Sequence, residues 1–455
     1  MLYMLPLTLL AALPLVPVWA APYKCSLNPQ SGVSAAASST GSSSPSGGGT
    51  GTTSSGGSPA SDLVSMSWFA GWHATADPAF LPANISWSKY TAVSYAFAVT
   101  TEDPSTVSLG ASDEVLLPQF VQAAKQNNVK AMLTVGGWTG SQYYSTVVST
   151  PENRNTFANA VLGLVSKYDL DGLDFDWEYP NNVGIGCNNK SPDDAANFLS
   201  FLQTLRAQPA AKNLTLSAAV GLKPFDGPDG SPTSNVSAFA DALDYIEIMN
   251  YDVWGSWSTA VGPNAPLNDT CAPAADQQGS AVSAVAAWTA AGFPASQIVL
   301  GVPSYGHSFT VEPSAALVSG SGSTLAAYPA FVSSQQPLGD AWDTNATAGV
   351  DQCGNPTGGP SGIFDFWGLV EEGFLTDNGT AADGIAYRFD DCSQTPYVYN
   401  PDTKVMVSFD DPQSFAAKGS FISDSGLRGF AMWETGGDYE DMLVDAIRSA
   451  AGFDK

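Results

Sequence analysis

Eight apolar, β-rich runs recur along the chain, at residues 64–71, 92–100, 130–136, 172–177, 214–220, 245–251, 298–305 and 427–433. Amphipathic segments of helical period lie between the early ones. One opens at Thr150 with Pro151 in the first helical position and Phe157, Val161, Leu164 and Val165 on its apolar face. Another opens at Ser191-Pro-Asp-Asp, a cap followed by acids in the first turn, with Phe198, Leu199, Leu202 and Leu205 behind it. A third is expected from about Ala275 to Ala291. Strands alternating with helices eight times over residues 62–453 predict an α/β chain closed as a (β/α)8 TIM barrel. The surplus length falls after the seventh run. Between Tyr305 and about Gln413 the chain holds "PYVYNPDTKVMVSFDD", which reads as strand, turn, strand, and so predicts a small α+β insertion over residues 307–410.

The fourth run is unusual. "DLDGLDFDWEYP" alternates carboxylates with Leu, Phe and Trp. Residues two apart on a strand share a face, so Leu173, Phe175 and Trp177 turn to the helices while Asp174, Asp176 and Glu178 turn to the lumen. Asp171 falls on the other parity, as a cap or turn residue at the strand's entry. Successive acids are ~6.6 Å apart along the strand, with Glu178 nearest the C-terminal mouth, where barrel enzymes place their chemistry. Three carboxylates in a dry lumen cannot all be charged. Like charges and desolvation raise their pKa values, so a proton is shared and Glu178 stays protonated. A protonated carboxyl at the mouth is a general acid, as cleavage of a glycosidic bond requires. A calcium loop fits poorly, because Gly is at the fourth position and strand-like residues fill the rest. The Asp-x-Asp of a metal-dependent transferase lacks any accompanying nucleotide-binding signature.

Composition narrows the partners. Lys+Arg number 16 against 43 Asp+Glu, for a net charge of −27. Such a surface repels nucleic acid and anionic lipid, and it suits an uncharged substrate. Two histidines, His73 and His307, leave little material for a His-based metal site or a Ser-His triad. No cofactor and no metal are expected, and the protein is expected to be a monomer. Residues 1–20, "MLYMLPLTLLAALPLVPVWA", are apolar and uncharged, with Val18 and Ala20 before a cleavage point, and read as a secretory signal peptide. Residues 21–61 are a flexible segment dominated by a Ser/Gly/Thr tract. Sequons at Asn84, Asn189, Asn213, Asn235, Asn268, Asn345 and Asn378 agree with secretion. Of Cys25, Cys187, Cys271, Cys353 and Cys392 an even subset should pair. The expected bridges are Cys187–Cys271 and Cys353–Cys392, with Cys25 left over.

"DGLDFDWEYP" resembles the strand-four signature of family 18 glycoside hydrolases, the chitinases. "SWFAGWHA", "YAFA", "LTVGGW", "IMNYDVWGSW", "LGVPSYGHSF" and "RGFAMWE" resemble strands one, two, three, six, seven and eight of the same family, so the likeness spans about residues 64–450. The resemblance implies a substrate-assisted mechanism, the family being an exception to the two-carboxylate rule. Glu178 would protonate the leaving oxygen, and the substrate's 2-acetamido carbonyl would attack the anomeric carbon. Asp176 would hold the acetamido N–H, and Asp174 would share a proton with it from below. Tyr251 would bond the acetamido oxygen, with Met249 packed beneath. Asp252 has the opposite parity and reaches the site only where the strand ends or bulges.

Trp433 follows Gly429 and Ala431 on one face and makes a floor for a sugar ring. Trp138, Trp257 and Tyr179 are further sugar-contacting candidates. Gly137 is another, with close packing at the mouth as the competing role for it and Gly136. Two positions depart from the family pattern: Thr134 stands where Ser is frequent, and His307 where Arg is frequent. The expected function is a secreted chitinase acting on chitin or chitooligosaccharides with retention. An endo-β-N-acetylglucosaminidase acting on N-glycans and a non-catalytic chitin-binding lectin are the alternatives.

Overall fold

The computed structural model describes residues 63–321, 324–343 and 346–454. The expected signal peptide, the 21–61 segment and Cys25 lie outside the described residues. Seven parallel strands come first: β1 (Val64–Ala70), β2 (Ala92–Thr100), β3 (Lys130–Gly136), β4 (Gly172–Asp176), β5 (Thr215–Val220), β6 (Tyr245–Ile248) and β7 (Ile298–Pro303). An eighth parallel strand, Gly429–Trp433, pairs with both β7 and β1, while β1 also pairs with β2. The ring is therefore closed, and the chain is a (β/α)8 barrel.

Strand parity sorts the core as period-two alternation requires. Leu173, Phe175 and Trp177 pack outward with Phe157 and Val161 of α2 (Pro151–Tyr168) and with Phe198, Leu202 and Leu205 of α3 (Asp194–Arg206), α1 being Ala111–Gln126. Phe198 is 1% exposed and meets both Phe175 and Trp177 edge-on; burial of such a side chain contributes about 3 kcal/mol. The lumen holds a separate cluster that includes Met66, Trp68, Met132, Tyr245 and Ala431.

Helix α2 starts as read, with the Thr150 hydroxyl accepting from Asn153 N at 3.1 Å. Helix α3 begins two residues later than a cap at Ser191 implies, because Asp194 turns back to accept from Ser191 N (2.8 Å) and Asn181 N (3.0 Å). That carboxylate ties the loop after β4 to the helix. The third expected helix is shorter than read: α4 is Ala281–Ala290, preceded by a single turn at Ala274–Asp276. Gly279 at φ +122 breaks the chain between them, and the Ser280 hydroxyl caps the new start.

The seventh run splits in two. Pro303 ends β7, and after Ser304 the chain leaves the barrel as β8 (Tyr305–Thr310). It joins β9 (Ile363–Asp365), β10 (Ala386–Asp390), β11 (Thr395–Asn400) and β12 (Val405–Ser408) in a five-stranded antiparallel sheet of order β9-β8-β12-β11-β10. Helix α5 (Phe366–Glu371) continues directly from β9. The chain then returns through α6 (Pro412–Asp424) to the last barrel strand, here β13 (Gly429–Trp433), and α7 (Met442–Ala451).

The expected disulfides are corrected. The bridges are Cys187–Cys353 and Cys271–Cys392. Each joins a barrel loop to the segment after β8, because backbone contacts bring those loops together: Leu267 N donates to Ser393 O at 2.8 Å, close to the second bridge. Neighbours in sequence were not neighbours in space. Cys271–Cys392 spans 121 residues, so replacing both by Ser should lower stability by about 5 kcal/mol on the chain-entropy account. A lower guanidinium midpoint, followed by tryptophan fluorescence, checks it.

Candidate active site

The fourth strand delivers its acids as parity predicts. Asp174 is fully buried, Asp176 is 5% exposed, and Glu178 sits just past the strand end at the cavity. Register places Thr134 of β3 and Ser217 of β5 on either side of Asp174. Their hydroxyls donate to it at 2.9 Å each, and Trp68 Nε1 donates at 3.0 Å. Ser94 lies 2.6 Å from the Thr134 hydroxyl and extends this chain into β2. The hydroxyl retained at position 134 therefore has a definite task. Burial pushes Asp174 above the usual carboxylate range, while the three donors pull it back.

Asp176 differs. Its Oδ1 is buried and meets no partner. Burial drives its pKa well up, and the charges of Glu178 and Asp174 add to that. Among the described residues no hydrogen bond joins Asp174 to Asp176, so the expected shared proton has no direct bridge here; the oxygens of Asp174 are occupied by Trp68, Thr134 and Ser217. Glu178 is raised to about 7. Burial is the main cause; the Tyr179 hydroxyl opposes it and the Asp252 charge adds to it. The carboxyl is thus kept protonated chiefly by its surroundings rather than by the two acids below. Ser141 fixes its backbone, accepting from Glu178 N at 3.0 Å while donating to Asp176 O at 2.9 Å. Asn188 donates to Glu178 O at 2.8 Å.

Strand β6 ends at Ile248, so Met249, Tyr251 and Asp252 lie on the loop beyond it. Met249 packs on the lumen cluster, and Tyr251 lines the cavity. Burial first, then the charges of Asp176 and Asp252, push the Tyr251 phenol well up, which keeps it a hydrogen-bond donor. Asp252 takes φ +55, a left-handed turn that brings its side chain to the cavity against strand parity. Its Oδ1 accepts from the Tyr305 hydroxyl at 2.7 Å and lies 2.7 Å from His307 Nε2. Burial raises Asp252, but the His307 hydrogen bond and charge, with Tyr305, outweigh it and leave the carboxyl below its ordinary range.

Trp433 ends β13 and stacks on Phe97 at 5.4 Å and 18°. Trp138 and Trp257 line the same cavity with 49% and 62% of their surface exposed, as open faces rather than core. Tyr179 lines it too. Gly137 is not a lining residue, which corrects its placement as a sugar contact. Its N–H donates to Asp176 O at 2.9 Å, φ is +82, and a Cβ would come within 2.9 Å of the Phe97 ring. Close packing explains it.

The cavity has a volume of about 1260 Å³, above the range of an ordinary small-molecule pocket. Several of its residues escaped the sequence reading. Trp72 and His73 follow β1, and Trp342, Asp340 and Asp365 come from the segment after β8, where no motif marked them. Glu434, the neighbour of Trp433, is a further one. Glu247 is fully buried in the lumen with both oxygens unpartnered; burial and then Asp174 push it well above the usual range. It shares parity with Met249 and Tyr251, so the signal for it was present. Among the described residues no grouping of His, Cys, Asp and Glu could hold a metal ion, and no helix is long and apolar enough to cross a membrane.

Comparison with known proteins adds independent findings. The model described as "Glycosyl hydrolases family 18" matches residues 64–438. A "chitinase-like effector" of Moniliophthora roreri is 52% identical over 396 residues, covering 87% of this chain and 94% of that protein. "Chitinase A1" of Niallia circulans is 32% identical over 335 residues, 71% of this chain and 42% of its own length. The crystal structure of a chitinase from Rhizomucor miehei superposes with a TM-score of 0.74 at 32% identity, covering 85% of this chain and 99% of that one.

Proposed function

The chain belongs to glycosyl hydrolase family 18, and from that premise we propose that it is a secreted chitinase, cutting β-1,4 links between N-acetylglucosamine units with retention. The observation that carries this reading is the graded column of acids: Asp174 held by three donors, Asp176 with an open oxygen, and Glu178 raised to about 7 at the cavity. Glu178 gives its proton to the glycosidic oxygen as the bond to the anomeric carbon breaks. The acetamido carbonyl oxygen of the same sugar bonds to that carbon from the opposite face, forming an oxazolinium ion. Asp176 accepts the acetamido N–H and balances the positive charge, and Tyr251 donates to the acetamido oxygen. Water then adds to the anomeric carbon, returning its proton to Glu178, and the β configuration is kept. Trp433 carries the reacting ring, with Trp138 and Trp257 serving its neighbours. The sequons and the apolar first twenty residues support export and glycosylation.

Relatives named chitinase-like effectors favour a second reading, sugar binding without turnover. The presence of Glu178 with a raised pKa favours catalysis over it. Incubation with chitohexaose decides between them. Products released first as the β anomer, followed by NMR, are expected. First release of the α anomer would overturn the mechanism, and tight binding with no product would favour the second reading. An N-glycopeptide run in parallel should stay intact.

A further inference from the structure

Glu247 takes no part in the mechanism above, yet its position works against the fold. It is fully buried, and neither carboxyl oxygen meets a hydrogen-bond partner among the described residues. A buried polar group in that state destabilises, and an apolar side chain of similar size would hold the lumen together better. Its presence calls for a role.

Register fixes where it stands. Asp176 of β4 pairs with Ala219 of β5, Ala219 with Glu247 of β6, and Glu247 with Val299 of β7. Ala219 and Val299 belong to the lumen cluster, so all four share one level of the barrel interior. Only the Ala219 methyl separates the two acids. Two strand spacings put their backbones ~9.6 Å apart, within the joint reach of an Asp and a Glu side chain converging on the lumen. The level below is complete: Asp174 accepts from Trp68, Thr134 and Ser217, and the Tyr245 hydroxyl turns to the sulfurs of Met66 and Met132. The level of Asp176 is not, since Asp176 Oδ1 has no donor. The titratable groups facing Glu247 are Asp174, Asp176 and Tyr245. Those facing Asp176 from the other elements are Glu178, Tyr144, Tyr179 and Tyr251. None is a cation. Burial and then the charge of Asp174 therefore keep the Glu247 carboxyl neutral, and a neutral carboxyl carries one O–H donor.

We propose that Glu247 is a positioning residue that stands as a neutral carboxyl and donates a hydrogen bond to the Asp176 carboxylate, across Ala219, as the oxazolinium forms. The inference rests on the chitinase reading above and concerns how the counter-charge of that reading is held. An ionised carboxylate offers about four acceptor sites, so the acetamido N–H takes one from the cavity side while Glu247 takes another from within the lumen. The donor stabilises the ionised form of Asp176, which the reaction needs, and adds no charge of its own. Glu247 keeps its proton throughout. Ala219 is part of the arrangement, because a larger side chain there would stand between the two carboxyls.

The test sets Glu247→Leu, which removes the donor, against Glu247→Gln, which keeps an uncharged one. On chitohexaose the Leu variant should lose about tenfold in kcat, the worth of a hydrogen bond to a charged group, with KM within about twofold. The acid limb of its kcat profile should move to higher pH, because Asp176 loses a donor that favours its ionised form. The Gln variant should keep kcat within about threefold and the limb in place. A carboxyl with only a structural role would leave the limb unmoved in both. A Leu variant that loses less than about threefold in kcat overturns the proposal without touching the chitinase reading. A Gln variant as slow as the Leu variant overturns it too, since charge and not the donor would then matter. Where the Leu variant does not fold, Glu247→Ala is read in its place and the Gln result stands by itself. If the unaltered protein does not cleave chitohexaose, the chitinase reading fails and infrared difference spectra judge Glu247 alone. A protonated-carboxyl band that is lost in Glu247→Gln and shifts when chitohexaose is added supports the donor, and the absence of that band or of its shift overturns it.

Discussion

Glu178→Gln is expected to lower kcat/KM on chitohexaose by between about 10²- and 10⁴-fold, the range spanned by general acid catalysis. Gln has nearly the shape of Glu and still hydrogen-bonds, but it has no proton to give the leaving oxygen. Oligosaccharide affinity, measured by titration calorimetry, should stay close to that of the unaltered protein, because the tryptophan floor and walls are untouched. The pH dependence provides an independent reading. With its pKa at about 7, Glu178 is protonated below that pH and ionised above it. The kcat/KM of the unaltered enzyme should therefore fall as pH rises through about 7, and the residual activity of the variant should lack that limb. Turnover within tenfold of the unaltered protein would remove Glu178 from the acid's role.

The central acids were legible because their signal is local. Alternation along residues 172–178 fixes which side chains face the lumen whatever the rest of the fold does, and closed-barrel topology then makes that face the interior. Parity was also a sound guide to Met249 and Tyr251, and Glu247 lay on the same face for the taking. Asp252 was legible only as a condition. Its arrival depends on a left-handed φ after the strand end, and an Asp in that position is sterically allowed but not announced by any neighbour. The environment of Glu178 was read only in part. Its proton was attributed to desolvation together with the like charges of the acids below, whereas burial dominates and the added charge comes from Asp252 across the mouth.

What the sequence concealed shares one property: it depends on segments far apart in the chain meeting in space. The disulfides pair barrel loops with the segment after β8, at separations of 166 and 121 residues, and nothing in their spacing foretells which loops touch. The cavity wall beside Trp433 is assembled the same way. Asp340 and Asp365 come from the inserted segment, Glu434 from the end of the barrel and His73 from its beginning. His73 and Trp342 stack at 3.8 Å, a contact between residues 269 positions apart. The inserted segment supplies one wall of the cavity, and its lack of a recognisable motif hid the residues that set the charge there.

Asp176→Asn is the second substitution expected to cut activity severely, with kcat reduced by about 10²- to 10³-fold, as when a group preorganised for developing charge is removed. In the free protein Asp176 Oδ1 is buried without a partner, a costly arrangement unless something arrives to fill it. On the proposed mechanism the acetamido N–H of the bound sugar would be that partner, and the carboxylate's charge would then offset the oxazolinium as it forms. Asn retains an acceptor oxygen but no charge, so binding should suffer less than turnover, and KM should change by a smaller factor than kcat. The alkaline limb of the pH–rate profile should stay near pH 7, because burial and the Asp252 charge, not Asp176, hold the proton on Glu178. Measuring kcat and the limb together separates a charge effect from a general disturbance of the site: a loss of rate with the limb in place is the charge effect, whereas a damaged site moves the limb as well. An Asn variant that keeps more than about a tenth of the kcat of the unaltered protein would leave the oxazolinium without its counter-charge, and the role given to Asp176 would have to be abandoned.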